Sequence, residues 1–282
     1  MKRREMLLTT GAVALGVSAF PFRWVAADEK KKQKVLYFTR SAGFVHSVVK
    51  RNGDELAYSE KILTELGQKH GIEIVCSQDP TVFEGDLDQY DAFAFYTTGK
   101  PISDEGKSNL LKAIKAGKGF VGFHSATDTF HSSGIDPYCA MIGAEFLTHA
   151  SQQKAMMKVT SPNFPGIAGL DEGFVMNEEW YAFQKFAPDL HVILVQETGA
   201  MHDDPYKRPP YPATWAHRYG KGRVFYTSMG HREDVWTNPK FEQVTLGGFA
   251  WVLRNAEADV TPNIRQVTPG ANTLPKPPKQ KK

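Results

Sequence analysis

Two histidines stand where a chain can present a side chain for chemistry. Gly122-Phe123-His124-Ser125 closes the apolar run Lys118 to Phe123, and Gly230-His231 lies just past the run Arg223 to Met229. Both runs read as buried strands. A residue on a sharp strand-to-helix turn is thrust out at the carboxyl end of the sheet, where open α/β folds place their ligands. Asp136-Pro137, soon after His124, supplies a helix start. The loop 40–52 after the first predicted strand carries Gly43-Phe44-Val45-His46, so His46 should reach the same rim. Glu145 to His149 adds another imidazole, and Glu178-Glu179-Trp180-Tyr181 adds carboxylates on a strand of alternating character, one of which faces inward. Neutral imidazoles gathered with a carboxylate suit a divalent transition metal, zinc most commonly. The same groups can instead run general acid–base chemistry. The predicted metal set is His46, His124, His149 and His231, and the predicted catalytic set is His124, His231 and Glu179. Ser125, Asp128, Tyr181 and Trp215 are the candidates for substrate contact, with Asp128 also placed to orient a histidine. His70, His191 and His202 read as ordinary surface or hydrogen-bonding residues.

The elements that must position these residues alternate through the first half. Strands are predicted at Lys34 to Thr39, Ile72 to Ser77, Tyr90 to Thr97 and Lys118 to Phe123. Between them lie an amphipathic helix from Asp54 to about His70 and a helix capped by Ser103 that closes at Gly117. That alternation predicts an α/β fold, a mostly parallel sheet with helices on both faces. The second half is strand-rich: Ala155 to Thr160, Gly173 to Phe183, Leu190 to Glu197, Ala213 to Tyr219 and Arg223 to Met229. These read as antiparallel additions to one edge, followed by a last helix from Phe241 to Arg254.

Residues 1–27 read as an export signal rather than part of the fold. Lys2-Arg3-Arg4 precedes the apolar stretch Met6 to Phe20, and Val25-Ala26-Ala27 offers small residues for cleavage. Arg3-Arg4 points to the twin-arginine route and to a periplasmic or extracellular destination. The apolar run is shorter than the roughly 20 residues a bilayer demands, so no membrane span is expected after cleavage. This leader carries the whole formal net charge of +3, leaving the remainder near zero. Lysines crowd a basic linker at 28–33 and a Pro/Lys-rich tail at 256–282, expected to be disordered, so the domain at 34–255 is net acidic. Nucleic acid is therefore not an expected partner. Cys76 and Cys139 sit in apolar contexts typical of small buried side chains, and no zinc-type cysteine spacing occurs.

The segments GFVGFHSATDTF, EEWYAF, PATWAHRYGKGRVFYTSMGH and GGFAWVLR resemble the ThuA-like family, named for trehalose utilisation, from about Lys34 to Arg254. The resemblance implies the flavodoxin-like fold of class I glutamine amidotransferases. In those enzymes the turn corresponding to His124 carries a nucleophilic cysteine, and His231-Arg232-Glu233 resembles their His-x-Glu. Without that thiolate no thioester forms, so amidotransferase chemistry is not implied. The family's association with disaccharide catabolism and 3-keto sugars implies a small sugar substrate and, in some members, a metal. A ketone at C3 acidifies the C2 proton, which a base can remove before the C1 oxygen departs. Competing expectations are a serine hydrolase built on Ser125, His231 and Glu233, and a non-catalytic carbohydrate-binding domain. Homo-oligomerisation is left open.

Overall fold

A computed structural model of the chain describes residues 32–274. The predicted leader, most of the basic linker and the last eight residues of the tail lie outside the described residues. The first half alternates as its hydrophobic pattern requires. Strand β1 (Gln33–Phe38) leads through a loop to helix α1 (Tyr58–Lys69), then β2 (Ile72–Ser77) and β3 (Ala92–Phe95). Helix α2 (Asp104–Ala116), β4 (Gly119–Phe123) and the short α3 (Pro137–Ile142) follow. The Ser103 hydroxyl accepts from Gly106 N at 3.0 Å and caps α2, while Asp136 accepts from Tyr138 N at 2.8 Å and caps α3. Helix α1 begins later than expected, because Asn52 to Glu55 form a bridged turn before it. Its first turn is held by the Glu60 carboxylate, which accepts from Ala57 N at 2.8 Å.

The second half supplies β5 (Glu145–His149), β6 (Gln153–Val159), β7 (Gly173–Glu178), β8 (Tyr181–Gln184) and β9 (His191–Glu197). Strands β10 (Tyr211–Tyr219) and β11 (Gly222–Thr227) follow, then α4 (Glu233–Trp236), α5 (Pro239–Val252) and α6 (Ile264–Val267). Nine strands form one sheet in the order β2-β1-β3-β4-β11-β10-β9-β6-β7. Pairing is parallel from β2 through β11 and antiparallel from β11 through β7, so the predicted edge additions are present. Strand β11 returns to the centre, parallel to β4, and brings its carboxyl end beside that of β4. The stretch Gly173 to Phe183 is two strands rather than one. Strand β7 ends at Glu178 in the main sheet, and β8 pairs with β5 in a separate two-stranded ribbon. The chain changes sheets at Glu179-Trp180, which frees Glu179 from both ladders.

Strands β3 and β4 are buried along their whole length, because helices cover both faces. On one face Val35 and Tyr37 pack with Leu63 and Leu66 of α1 and with Phe249 and Trp251 of α5. On the other, Leu36 and Phe38 pack with Leu110 and Ile114 of α2 and with Ile142 of α3. The two periods, alternating in β1 and helical in α1 and α2, are what let one chain fill both layers. Cys76 and Cys139 are free thiols.

The expectation of a disordered tail from residue 256 is corrected for its described part. Asn263 accepts from Val192 N through Oδ1 at 2.6 Å and donates to Val192 O through Nδ2 at 3.1 Å, continuing the polar pairing along β9. Ile264 and Ala271 are buried, and Asn272 Oδ1 accepts from Phe186 N at 2.9 Å. Proline and lysine content misleads here because two asparagines satisfy backbone groups that would otherwise be orphaned. Among the described residues no helix is long and apolar enough to cross a membrane.

Candidate metal centre

Strand β4 delivers His124 at the first position of a short 3-10 turn (His124–Thr127) with φ of 39°, in the left-handed region that a non-glycine residue rarely holds. Such strain persists where surrounding bonds over-determine it. Here the Tyr226 hydroxyl donates to His124 O at 2.6 Å, and the ring Nδ1 lies 2.9 Å from Ser228 O. A carbonyl can only accept, so Nδ1 carries the proton and Nε2 is left with a bare lone pair. That lone pair faces His231 Nδ1 at 3.3 Å and Glu179 Oε2 at 3.4 Å. His231 leaves β11 through Gly230, whose φ of 117° suits only glycine. Its Nδ1 lies 3.0 Å from Glu179 Oε2. His46, from the loop after β1, sets its ring 5.1 Å from that of His124 and 5.3 Å from that of His231. Three imidazoles far apart in sequence therefore meet at the carboxyl edge of β1, β4 and β11.

His46, His124, Glu179 and His231 each offer one donor atom, all within 4.8 Å of one another. Nitrogen donors at about 2.0–2.1 Å from a tetrahedral zinc stand about 3.4 Å apart, close to the shorter separations here. Three of the four donors also hold the protonation state a cation needs. Burial, reinforced by repulsion from His124 and His231, pushes His46 down to about 2, so it stays neutral. Burial also lowers His124. For Glu179 burial raises the carboxyl, yet its contacts with the imidazoles of His124 and His231 outweigh that and hold it well below the usual range. His231 is likewise opposed by burial and raised by Glu179. The buried His46 Nδ1 has no hydrogen-bond partner among the described residues, an expensive state for a polar atom that a cation or substrate would relieve. The residues present fit a divalent metal.

Glu178 holds the arrangement from behind. Fully buried, it accepts from Gly230 N at 2.9 Å and His231 N at 3.2 Å through Oε2, and from Glu179 N at 2.9 Å through Oε1. One carboxylate thus clips the end of β11 to the end of β7 and sets two of the four donors. Burial pushes it up to about 7, against the pull of those backbone donors. The sequence reading places Glu179 in the catalytic set and gives Glu178 no role; the change of sheet at Glu179 separates the two carboxylates.

Other predicted site residues fall in and out of the cluster. His149 is not one of the four converging donors. It is 44% exposed, with Nδ1 3.4 Å from Glu179 Oε1, at the outer side of that carboxylate. Tyr181 lies against His124 with ring centroids 4.0 Å apart and its hydroxyl 3.4 Å from His46 Nε2, but it is buried and offers no platform. Trp215 is corrected from a substrate contact to a core residue. It is fully buried, donates from Nε1 to Ile142 O at 2.8 Å and stacks on Tyr226 at 4.3 Å. Ser125 is also fully buried, and its Oγ has no hydrogen-bond partner among the described residues. Glu233 accepts from Ser47 Oγ at 2.6 Å, while His231 faces Glu179, so the Ser125–His231–Glu233 triad is not assembled. Asp128 pairs with His131 at 3.2 Å rather than orienting a cluster histidine. His131 was missed, and its spacing of three residues from Asp128 on a tight turn was the available signal.

A family model described as ThuA, trehalose utilisation, matches residues 34–252. Among solved structures, a putative ThuA-like protein from Parabacteroides merdae superposes with a TM-score of 0.65 at 16% identity, covering 82% of this chain and 94% of that one. A putative ThuA-like protein from Bacteroides uniformis gives 0.62 at 17% identity, covering 83% and 95%. A β-galactosidase from Rahnella sp. R3 gives 0.52 at 14% identity, covering 80% of this chain but 32% of that enzyme, a likeness of fold. No curated protein matches the sequence. The His124 turn and the Gly230-His231 turn both fall within the matched span, and the chain belongs to the ThuA family, whose described role is trehalose utilisation.

Proposed function

We propose that this chain is an exported sugar-processing enzyme that binds one divalent transition metal, zinc in the first instance, through His46, His124, Glu179 and His231. The convergence of those four donors within 4.8 Å is the observation that carries the reading. The family description supports a disaccharide-related substrate. We assign the reaction class as proton abstraction beside a sugar ketone, followed by C–O cleavage or isomerisation. A bound cation supplies Lewis-acid polarisation of a carbonyl oxygen. The chain supplies the rest. The His124 Nδ1 contact with Ser228 O fixes that ring's tautomer, and Glu178 fixes His231 and Glu179. His149, exposed beside Glu179, is placed to hold or move a proton at the outer side of that carboxylate through its imidazole nitrogens. Tyr181 and Tyr96, both buried, close the inner side against water. The arginine-rich leader is the support for export.

The test is elemental analysis of purified protein together with turnover of 3-keto-disaccharides. Stoichiometric transition metal in the native protein, lost in His124→Ala and His231→Ala along with turnover, is the expected result. Full turnover in metal-stripped protein, or in either variant, would overturn the reading. Sugar binding with no turnover of any keto-glycoside would move the protein to a carbohydrate-binding role.

A further inference from the structure

Trp215 and Tyr181, the aromatic residues expected from the sequence to meet a sugar, are buried and present no ring face to solvent. The ring that is exposed beside the cluster is Phe44. At 67% exposure it is the most exposed large apolar side chain among the described residues, and Val45 beside it is 49% exposed. Single exposed apolar residues are ordinary on a protein surface. Phe44 differs by its seat: its ring packs edge-to-face on His46, with centroids 4.9 Å apart, so it borders one of the four donors directly.

Its backbone is also held at both ends. Thr98, fully buried, donates from Oγ1 to Phe44 O at 2.9 Å and accepts there from Gly43 N at 3.1 Å, while Ala42 N donates to Thr98 O at 3.0 Å. The neighbouring Gly99 sits at φ of 67°, and a Cβ there would come within 2.9 Å of the Ala42 carbonyl carbon, so close passage of the loop requires glycine. On the far side Ser47 Oγ donates to Glu233 Oε1 at 2.6 Å, tying this loop to the turn that carries His231. Phe44 is thus a fixed apolar surface, with little ordering left to lose when a ligand covers it.

We infer that Phe44, with Val45, is the sugar-stacking subsite of this centre: it covers the apolar C–H face of a pyranose ring whose oxygenated edge turns toward His231, the partly exposed imidazole 5.3 Å from His46. This rests on the sugar reading above and sharpens it. A ligand with one apolar face and a polar rim is a glycoside, and an apolar wall with a few converging polar groups is how small-molecule sites fix orientation. Phe44 acts on specificity and touches no bond that breaks.

Calorimetric titrations of trehalose, maltose, cellobiose and their 3-keto forms into native protein, Phe44→Ala and Phe44→Trp test it, with metal content measured on each. The expected result is about tenfold weaker binding of the best disaccharide by Phe44→Ala, recovery in Phe44→Trp to within about threefold, and unchanged metal content. Equal binding by native protein and Phe44→Ala would overturn the subsite and leave the sugar reading standing. Metal loss in Phe44→Ala would make the ring a shield for His46 and overturn it as well. No disaccharide bound by metal-replete native protein would remove both this subsite and the sugar reading.

Discussion

Acid should destabilise the metal-free protein through His46, and the size of the effect follows from its burial. In the unfolded chain His46 takes up a proton below about 6.5; in the folded protein burial and two neighbouring imidazoles delay that to about 2. Between those values the unfolded state binds more protons, so stability is full above the higher value and falls as pH drops. From pH 7 to pH 5 the loss is about 2 kcal/mol from this group alone, and it is not discounted for solvent screening because His46 is 2% exposed. His124, also lowered, adds loss in the same direction, whereas His231 and Glu178, both raised, oppose it. Glu179 is ionised throughout this window. The clean readout is therefore a difference: urea unfolding in chelator at pH 7 and pH 5 for native protein and for His46→Gln, whose amide does not titrate. The variant should lose about 2 kcal/mol less over that interval. Parallel pH dependence in the two proteins would refute the claim that His46 is a buried neutral imidazole, and with it the argument that the site is prepared for a cation.

Glu178→Gln replaces a carboxylate that accepts from three backbone N–H groups by an amide that points N–H toward some of them, and it should cost about 2–4 kcal/mol in urea unfolding. The same variant should weaken metal binding about 10- to 100-fold in a competitive chelator titration, and unaltered affinity would show that the clip does not position the donors. Trp215→Ala should destabilise by about 3–5 kcal/mol in denaturant melts, as for other buried tryptophans, while Trp215→Phe should keep sugar affinity; lost affinity in a stably folded Trp215→Phe would return it to the substrate site. Ser125→Ala should leave turnover intact, and native protein should resist a fluorophosphonate probe; specific labelling of Ser125 would revive the serine-hydrolase reading. Asn263→Ala should lower stability by about 1–3 kcal/mol in urea unfolding, because Val192 N loses its acceptor while Val192 O keeps the Thr160 hydroxyl, and a neutral result would show that this asparagine does not anchor the tail.

The sequence by itself determined which strands exist and which residues stand at their ends. Uninterrupted apolar runs before His124 and before Gly230-His231 mark buried strands, and helical periods between Asp104 and Ala116 mark their cover, because burial on both faces leaves a pattern in composition. The candidate histidines were legible for the same reason: turns at strand ends are written in glycine and proline. Distance was not written anywhere. Only the tertiary structure set β11 beside β4, which joined His231 to His124, and only the jump from the main sheet to the β5–β8 ribbon put Glu179 among the imidazoles while leaving Glu178 behind them. It also drew His149 outward, buried Trp215 and Ser125, and left Phe44 in the open. Those outcomes depend on which face of each strand meets a helix and on where ladders end. Strand pairings between residues more than a hundred positions apart, such as Phe123 with Thr227, fix both, and no local stretch of the chain encodes them.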